Sequence, residues 1–201
     1  MSVEAAVAAL RAGRLVVLPT DTVYGLAADG ETEPAARALY AAKGRDAIQP
    51  TAVLLASVDV LLERVPELPA SAVEVARALV PGPFTLILEN PARRYAWLNP
   101  KRPDAIGVRV PAVTGAARSV LEAVGAVVAT SANLSGGVDP RRVEEIPPEI
   151  AAAADVVLDG GELPGTPSTV VDLTGLEPRV LREGAVAAAD VLEGLRGLTD
   201  R

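Results

Sequence analysis

The chain has 201 residues, a formal net charge of −7, and neither cysteine nor histidine. The missing side chains exclude disulfides, thiolate catalysis, zinc sites built from Cys or His, and Ser-His-Asp triads, so any chemistry must use carboxylates, hydroxyls, lysine, arginine, backbone amides or the substrate itself. The acidic balance and an aromatic content of 2% argue against a protein that holds nucleic acid by bulk electrostatics or by base stacking.

Hydrophobic periodicity and turn residues divide the chain into alternating helices and strands. The predicted helices span residues 3–12, 33–42, 58–62, 70–79, 116–124 and 188–195. The predicted strands span residues 15–18, 23–28, 51–56, 84–88, 106–110, 125–129, 156–158, 169–173 and 179–181, and residues 90–104 are expected to be irregular. Because helices and strands interleave while some connections between strands are as short as hairpins, we expect a layered α/β fold (α+β mixed) with a mixed sheet.

No linker, repeat or low-complexity tract interrupts this pattern, which predicts a single domain over residues 1–201. The longest apolar runs are too short to span a bilayer. The first residues also lack a basic segment followed by an apolar one. We therefore expect a cytoplasmic protein with no membrane partner.

A polar break follows the first predicted strand. Leu15-Val16-Val17-Leu18 is a buried strand pattern, and Pro19 is expected to end it because proline cannot donate to a sheet ladder. Thr20-Asp21-Thr22 comes next, at the end of a core strand, where open α/β sheets usually bind ligands. The alternative is an ordinary turn, since proline, aspartate and glycine are turn formers.

A second polar cluster, Lys43-Gly44-Arg45, lies just past the predicted helix 33–42. Two cations that flank a glycine suit an anionic ligand, because glycine lets the backbone approach it closely. The alternative is a pair of favourable charges at a helix C-terminus. Of the 19 basic residues only Lys43 and Lys101 are lysines, which singles out Lys43 as a position that needs a compact ammonium group.

Further polar residues follow other predicted strands. Ser131 and Asn133 come after the apolar strand 125–129, where they suit either phosphate binding or a helix N-cap. Thr169 opens a strand and Arg182 follows one, although a hairpin with an exposed arginine explains both. Arg109 ends an apolar strand, where a charge needs a partner if it is buried and none if it lies at a solvent-facing edge.

The clusters together predict a cationic, hydroxyl-lined cleft for an anionic ligand such as a nucleotide. The chain contains neither the Walker A pattern nor Gly-x-Gly-x-x-Gly, so it is neither a P-loop protein nor an ordinary dinucleotide binder.

Seven motifs resemble, in the same order, those of the YrdC-like threonylcarbamoyl-AMP synthase family. They are Pro19-Thr20-Asp21-Thr22-Val23-Tyr24-Gly25-Leu26, Lys43-Gly44-Arg45, Pro81-Gly82-Pro83-Phe84-Thr85, Val108-Arg109-Val110-Pro111, Thr130-Ser131-Ala132-Asn133-Leu134-Ser135-Gly136, Pro167-Ser168-Thr169-Val170-Val171-Asp172 and Leu181-Arg182-Glu183-Gly184.

The resemblance implies a three-layer fold, with a twisted, mostly mixed sheet between helices on both sides and a central cleft. It implies a nucleotidyltransferase that converts L-threonine, bicarbonate and ATP to threonylcarbamoyl-AMP and pyrophosphate, for threonylcarbamoyladenosine modification of tRNA. The chain resembles the short, single-domain form of the family. It also implies that Mg²⁺ binds mainly through the ATP phosphates with no metal site of the protein's own, that tRNA-modification proteins act downstream, and that tRNA binding is at most weak.

The resemblance also assigns roles to individual residues. It implies catalytic roles for Lys43 and Arg45, which would hold the ATP phosphates and the carbamate. The threonine contacts would be Thr20, Arg109 and Thr169, and the nucleotide contacts would be Lys43, Arg45, Ser131, Asn133 and Arg182. The chain departs from the family in residues 46–51, where Arg45 is not followed by proline and Pro50 is not followed by leucine.

Two alternatives remain open at this point. A related YrdC-like domain in larger maturation proteins makes carbamoyl-AMP from carbamoyl phosphate, but this chain has no accessory zinc-finger or acylphosphatase-like sequence. The other alternative is a non-catalytic RNA-binding module, against which the acidic balance argues.

Overall fold

The computed structural model describes residues 1–44, 46 and 49–199. The strands are β1 (Val16–Pro19), β2 (Tyr24–Asp29), β3 (Ala52–Leu55), β4 (Phe84–Glu89), β5 (Ala105–Arg109), β6 (Ala126–Ser131), β7 (Val156–Val157), β8 (Thr169–Asp172) and β9 (Arg179–Arg182). The α-helices are α1 (Val3–Arg11), α2 (Glu33–Ala42), α3 (Val58–Arg64), α4 (Ala70–Leu79), α5 (Gly115–Val124), α6 (Pro148–Ala153) and α7 (Ala188–Thr199). Short 3₁₀ helices span Ala96–Leu98 and Val143–Glu145.

The strands form one mixed sheet in the order β7-β1-β2-β6-β3-β5-β4-β8-β9. The pairs β1/β7, β3/β5 and β4/β8 are parallel, and the other neighbours are antiparallel. The two short connections expected from the sequence do join antiparallel neighbours, β1 to β2 and β8 to β9. The prediction of a mixed α/β fold is confirmed.

Alternation along the strands separates two apolar layers. One face of the sheet packs against α2, α3, α4, α6 and α7, and carries Leu26, Val53, Leu86 and Val108. The other face packs against α1 and α5, which cover only its β7-β1-β2-β6-β3 half. Among the described residues these helices leave β5, β4 and β8 open, and a cleft lies there that also reaches over the neighbouring ends of β2, β6 and β3.

Several element boundaries differ from the sequence-based expectation. The first strand ends at Pro19 as expected, but Pro19 is itself its last residue and pairs with Tyr24 in the β1–β2 hairpin. Gly125 does not begin a strand: it ends α5 with a φ of +78°, which glycine adopts readily. The following strand extends to Ser131 because Ser131 pairs with Gly25 of β2.

The helix α6 was not predicted from the sequence. Three of its six residues are alanine, Pro147 precedes it and Pro148 is its first residue. Proline suits the first turn of a helix but is read more readily as part of a loop. The 3₁₀ helix at Ala96–Leu98 lies within the stretch that was expected to be irregular.

Gly184 lies where the end of β9 turns back against the start of β8. A Cβ atom added at this position would overlap with the Pro167 carbonyl oxygen and would lie 2.6 Å from the Ser168 carbonyl oxygen. We expect Gly184→Ala to lower the free energy of unfolding by about 1–3 kcal/mol, because backbone atoms must move to admit the methyl group.

Urea denaturation would measure this difference. Gly194→Ala is the matched control, since Gly194 lies in α7 and an added Cβ would have no atom within 4 Å apart from its chain neighbours and the nearby backbone of its own helix. Alanine favours a helix over glycine, so this variant is expected to gain up to about 1 kcal/mol. Equal stability of the two variants would contradict the assignment of Gly184 to a close backbone crossing.

Candidate active site

The cleft on this second face of the sheet encloses about 260 Å³. Its floor consists of small residues from four strands, Gly25, Ala52, Gly107 and Ala129. The strand register brings three of these together, because Ala52 stands opposite both Gly107 and Ala129. Small side chains on neighbouring strands leave room above the sheet, and this gives the cleft its depth.

The turn between β1 and β2 forms one wall. The Thr20 hydroxyl accepts hydrogen bonds from the backbone N–H groups of Thr22 and Val23, both at 3.2 Å, and donates to the Val23 carbonyl oxygen at 2.7 Å. A threonine hydroxyl that forms hydrogen bonds with the backbone two and three residues further along the chain is typical of an ST turn. The ordinary turn considered from the sequence is therefore present, and it holds the two threonine side chains against the cleft.

Arg109 extends from the end of β5 to this turn. Its Nη2 donates to the Asp21 carboxylate and, at 2.7 Å, to the Thr22 hydroxyl. The second Asp21 oxygen accepts from the backbone N–H of Ala112 at 2.9 Å. Arg109 is 8% exposed, so it is a buried cation with a carboxylate partner, and not a solvent-facing edge residue.

The Arg109 guanidinium retains unused binding capacity. Its Nε is buried and has no hydrogen-bond partner among the described residues. Burial lowers the pKa of Arg109, the Asp21 carboxylate opposes this effect, and the positive charge of Arg182 lowers the pKa further. Because arginine stays charged in proteins, this group can accept an additional anion in the cleft.

Lys43, Ser131 and Asn133 form a cluster at the end of β6. Lys43 caps the C-terminus of α2, is 3% exposed, and donates from Nζ to the Ser131 carbonyl oxygen and, at 2.7 Å, to Asn133 Oδ1. The Ser131 hydroxyl donates to the same Asn133 oxygen, also at 2.7 Å. Ser131 lines the cleft, so the cluster brings an ammonium group next to it.

The opposite wall consists of Thr85, Ser168 and Arg182. The Thr85 and Ser168 hydroxyl oxygens lie 2.8 Å apart. Arg182 Nη2 donates to the Ser168 carbonyl oxygen at 2.8 Å and to the Ser168 hydroxyl at 3.2 Å. All three residues line the cleft, and the arginine places a second cation across it from Lys43 and Ser131.

Four of the predicted site residues line the cleft directly: Thr20, Arg109, Ser131 and Arg182. Lys43 and Asn133 adjoin it through Ser131. Arg45 lies outside the described residues, as do residues 47 and 48 of the atypical loop. The substrate contacts assigned to all these residues stay predictions.

Thr169 occupies a different place from the other predicted residues. It is fully buried, its hydroxyl donates to the Val186 carbonyl oxygen at 2.7 Å, and it accepts from the N–H groups of Gly184 and Val186 at 3.1 and 3.0 Å. It pairs with Phe84, whose side chain belongs to the core on the other face of the sheet. Thr169 therefore anchors the segment after β9, and its preceding neighbour Ser168 reaches the cleft.

Several residues that form the cleft and its surroundings were not among the predicted site residues. Asp21 and Thr22 belonged to the predicted polar cluster Thr20-Asp21-Thr22, but the sequence did not indicate their bonds to Arg109. Strand alternation could have identified Ser168, because the apolar Val171 places Thr169 on the core face and leaves the even-numbered residues for the other face. Thr85 and Asp139 also line the cleft, and for Asp139 the sequence offered no signal.

Among the residues that the structure describes, no group of three or more acidic side chains is placed to hold a metal ion. The same residues include no helix that is long and apolar enough to cross a membrane.

Comparison with known proteins gives a consistent result. Residues 8–184 match the Sua5/YciO/YrdC family, which is described as telomere recombination. A Mycobacterium tuberculosis protein, named provisionally as a threonylcarbamoyl-AMP synthase, is 37% identical over 194 residues, which cover 96% of this chain and 88% of that protein. The human threonylcarbamoyl-AMP synthase is 36% identical over 184 residues, which cover 86% of this chain and 63% of the human protein.

A solved structure extends the agreement to three dimensions. The crystal structure of Pyrococcus abyssi Sua5 complexed with L-threonine superposes with a TM-score of 0.86 and 32% identity. The match covers 96% of this chain but 56% of the archaeal one, so this chain spans just over half of that protein. The three-layer fold expected from the motifs is confirmed, and the chain belongs to the Sua5/YciO/YrdC family.

Proposed function

We propose that the chain is an L-threonylcarbamoyladenylate synthase, which converts L-threonine, bicarbonate and ATP to threonylcarbamoyl-AMP and pyrophosphate. The observation that carries the proposal is a single cleft with a buried, incompletely bonded arginine on one side and an ammonium group and a second arginine on the others. This arrangement suits an amino acid carboxylate together with a polyphosphate. Relatives at 36–37% identity carry the name of this activity.

The reaction balances without a protein nucleophile. The threonine amine and bicarbonate form a carbamate and release water, and a carbamate oxygen then attacks the ATP α-phosphorus while the bond to pyrophosphate breaks. The protein would act by positioning the reactants and by neutralising charge, which is the main contribution of enzymes to phosphoryl and nucleotidyl transfer. A chain without histidine can perform this chemistry.

The described residues suggest which part of the substrates each side chain would bind. Arg109 would bind the threonine carboxylate, with Thr20 beside it on the same wall. Lys43 and Ser131 on one wall and Arg182 on the other would bind the phosphates, since two cations and a hydroxyl then face the same cleft. Arg45 is proposed to join them on the basis of the family motif.

Mg²⁺ is proposed to enter on the ATP phosphates, where it would neutralise part of their charge. The donor set of the cleft fits this role, because its described lining contains hydroxyls and cations but a single carboxylate, that of Asp139. A cation held mainly by substrate oxygens does not require a cage of protein ligands.

The product would serve tRNA modification through partner proteins that transfer the threonylcarbamoyl group to adenosine, and the chain would work in the cytoplasm. Because the net charge is −7, direct binding of tRNA is expected to be weak and strongly reduced by salt.

Pyrophosphate release from ATP, measured with and without L-threonine and bicarbonate, tests the proposed function. We expect release to depend on both, with a fall to the background rate when threonine is omitted or when the buffer is freed of carbon dioxide. Release that ignores threonine would refute the proposal. Release that requires carbamoyl phosphate instead would identify a carbamoyl-AMP-forming enzyme, and affinity for tRNA without any reaction would indicate a binding module.

A further inference from the structure

The amide of Asn133 has all of its hydrogen-bonding capacity in use. Its Oδ1 accepts from Lys43 Nζ and from the Ser131 hydroxyl, each at 2.7 Å. Its Nδ2 donates to the Gly137 carbonyl oxygen at 2.6 Å and to Asp139 Oδ1 at 3.1 Å. An asparagine amide has two donor hydrogens and one acceptor oxygen with two lone pairs, so these four bonds fix which way it faces.

The orientation matters because of the neighbouring ammonium group. With the present orientation, the amide oxygen faces Lys43 Nζ. A rotation of the amide by 180° would turn its NH₂ group toward a cation and its oxygen toward the oxygens of Gly137 and Asp139. Both new contacts would be repulsive. The two acceptors of the Nδ2 hydrogens, the Gly137 carbonyl oxygen and Asp139 Oδ1, therefore keep the amide oxygen directed at Lys43 Nζ.

Asp139 is also unusual in its place. It is the one carboxylate in the described lining of a cleft whose other charged groups are Arg109 and Arg182. A negative charge there opposes the binding of phosphates, so its presence calls for a compensating role. The contact with Asn133 Nδ2 supplies one, because a carboxylate is a strong acceptor from an amide N–H.

We propose that Asp139 is a positioning residue of the nucleotide site. It acts through Asn133, by holding the amide oxygen toward Lys43 Nζ and the Ser131 hydroxyl. The identity of the ligand, ATP, rests on the proposed function. The orientation of the amide does not depend on the proposed function, because it follows from the four hydrogen bonds of Asn133.

ATP binding to three variants tests the inference by titration calorimetry. Asp139→Ala removes the acceptor and is expected to weaken ATP binding about tenfold, the effect of losing one hydrogen bond to a charged group. Asp139→Asn keeps an acceptor oxygen and removes the charge, so it is expected to bind ATP within twofold of the unmodified protein, or more tightly. Glu144→Ala changes the net charge equally at an exposed position and serves as the control.

The same titrations in an Asn133→Ala background separate positioning from other effects. Asp139→Ala is expected to cause no further loss there, since its target is absent. Equal weakening by Asp139→Ala and Asp139→Asn would overturn the inference, because it would show that the negative charge itself is needed, as for a bound cation. Full affinity in Asp139→Ala would overturn it as well.

A second measurement does not depend on ATP. In NMR spectra the Asn133 side-chain amide, assigned by its loss in Asn133→Ala, is expected to exchange slowly with solvent in the unmodified protein and in Asp139→Asn, but rapidly in Asp139→Ala. An unchanged amide in Asp139→Ala would overturn the inference. If the unmodified protein did not bind ATP, the proposed function would fail while this measurement would still decide the role of Asp139.

Discussion

Lys43→Ala is expected to lower threonine-dependent pyrophosphate release by a factor of about one hundred or more, as is usual when a preorganised charge at a reacting group is removed. Lys43 is buried at the end of α2, and its ammonium group is held by the Ser131 carbonyl oxygen and Asn133 Oδ1 beside the cleft. Lys43→Arg is expected to lose nearly as much, because a planar guanidinium group does not fit the place of a compact ammonium. Steady-state pyrophosphate release measures both.

The chain provides its own control for this experiment. Lys101 is the second of its two lysines and is exposed. Lys101→Ala removes the same charge and is expected to leave the rate unchanged. Circular dichroism must show that Lys43→Ala remains folded, and near-normal turnover in a folded Lys43→Ala protein would remove Lys43 from the proposed mechanism.

Arg109→Met is expected to abolish threonine-dependent pyrophosphate release. It is also expected to lower the free energy of unfolding by about 3–5 kcal/mol, the cost of removing one partner of a buried ion pair. The substitution leaves the Asp21 carboxylate buried, with the Ala112 N–H as its remaining described partner. Urea denaturation measures the stability, and the threonine concentration dependence of pyrophosphate release measures the function.

A double variant separates the two effects. Asp21→Asn with Arg109→Met removes both charges, so it is expected to recover much of the stability that Arg109→Met loses. It is not expected to recover the response to threonine, because the guanidinium that would bind the carboxylate is still missing. Recovery of the threonine response in the double variant would show that Arg109 serves only to neutralise Asp21.

The features predicted best from the sequence are the helices and strands, which depend on residues close together along the chain. Helical periodicity placed Lys43 just past a helix, and Lys43 is the C-cap of α2. Alternating and apolar runs located all nine strands to within a few residues. These features follow from local burial patterns, which a single sequence carries.

Contacts between distant segments could not be predicted in the same way. Arg109 and Asp21 are 88 residues apart along the chain, and the strand of Arg109, β5, is a neighbour of neither β1 nor β2, which flank Asp21. The sequence could state that a buried Arg109 needs a partner, but only the strand order and the path of the β1–β2 turn decide which partner it finds. The Asn133–Asp139 contact depends similarly on the shape of one irregular loop.

Thr169 and Ser168 illustrate a distinction that the sequence did contain. A motif match treats adjacent residues alike, whereas a strand directs them to opposite faces. Val171 belongs to the core, which assigns Thr169 to the same side and leaves Ser168 for the cleft. Combining motif positions with strand alternation would have favoured Ser168 over Thr169 as the residue that faces the ligand.

The floor of the cleft ties the activity of this protein to the accuracy of its folding. On β3, Ala52 and Leu54 lie on the cleft face, where Leu54 also packs into the layer under α1 and α5, while Val53 and Leu55 belong to the core on the other face. A slip of β3 by one residue would turn Val53 and Leu55 toward the cleft and Ala52 and Leu54 toward the core, so that neither the cleft nor the core would be filled correctly. Such a molecule would be inactive and unstable together, so a folded but inactive population is not expected to accumulate, and the specific activity of a preparation should report its natively folded fraction.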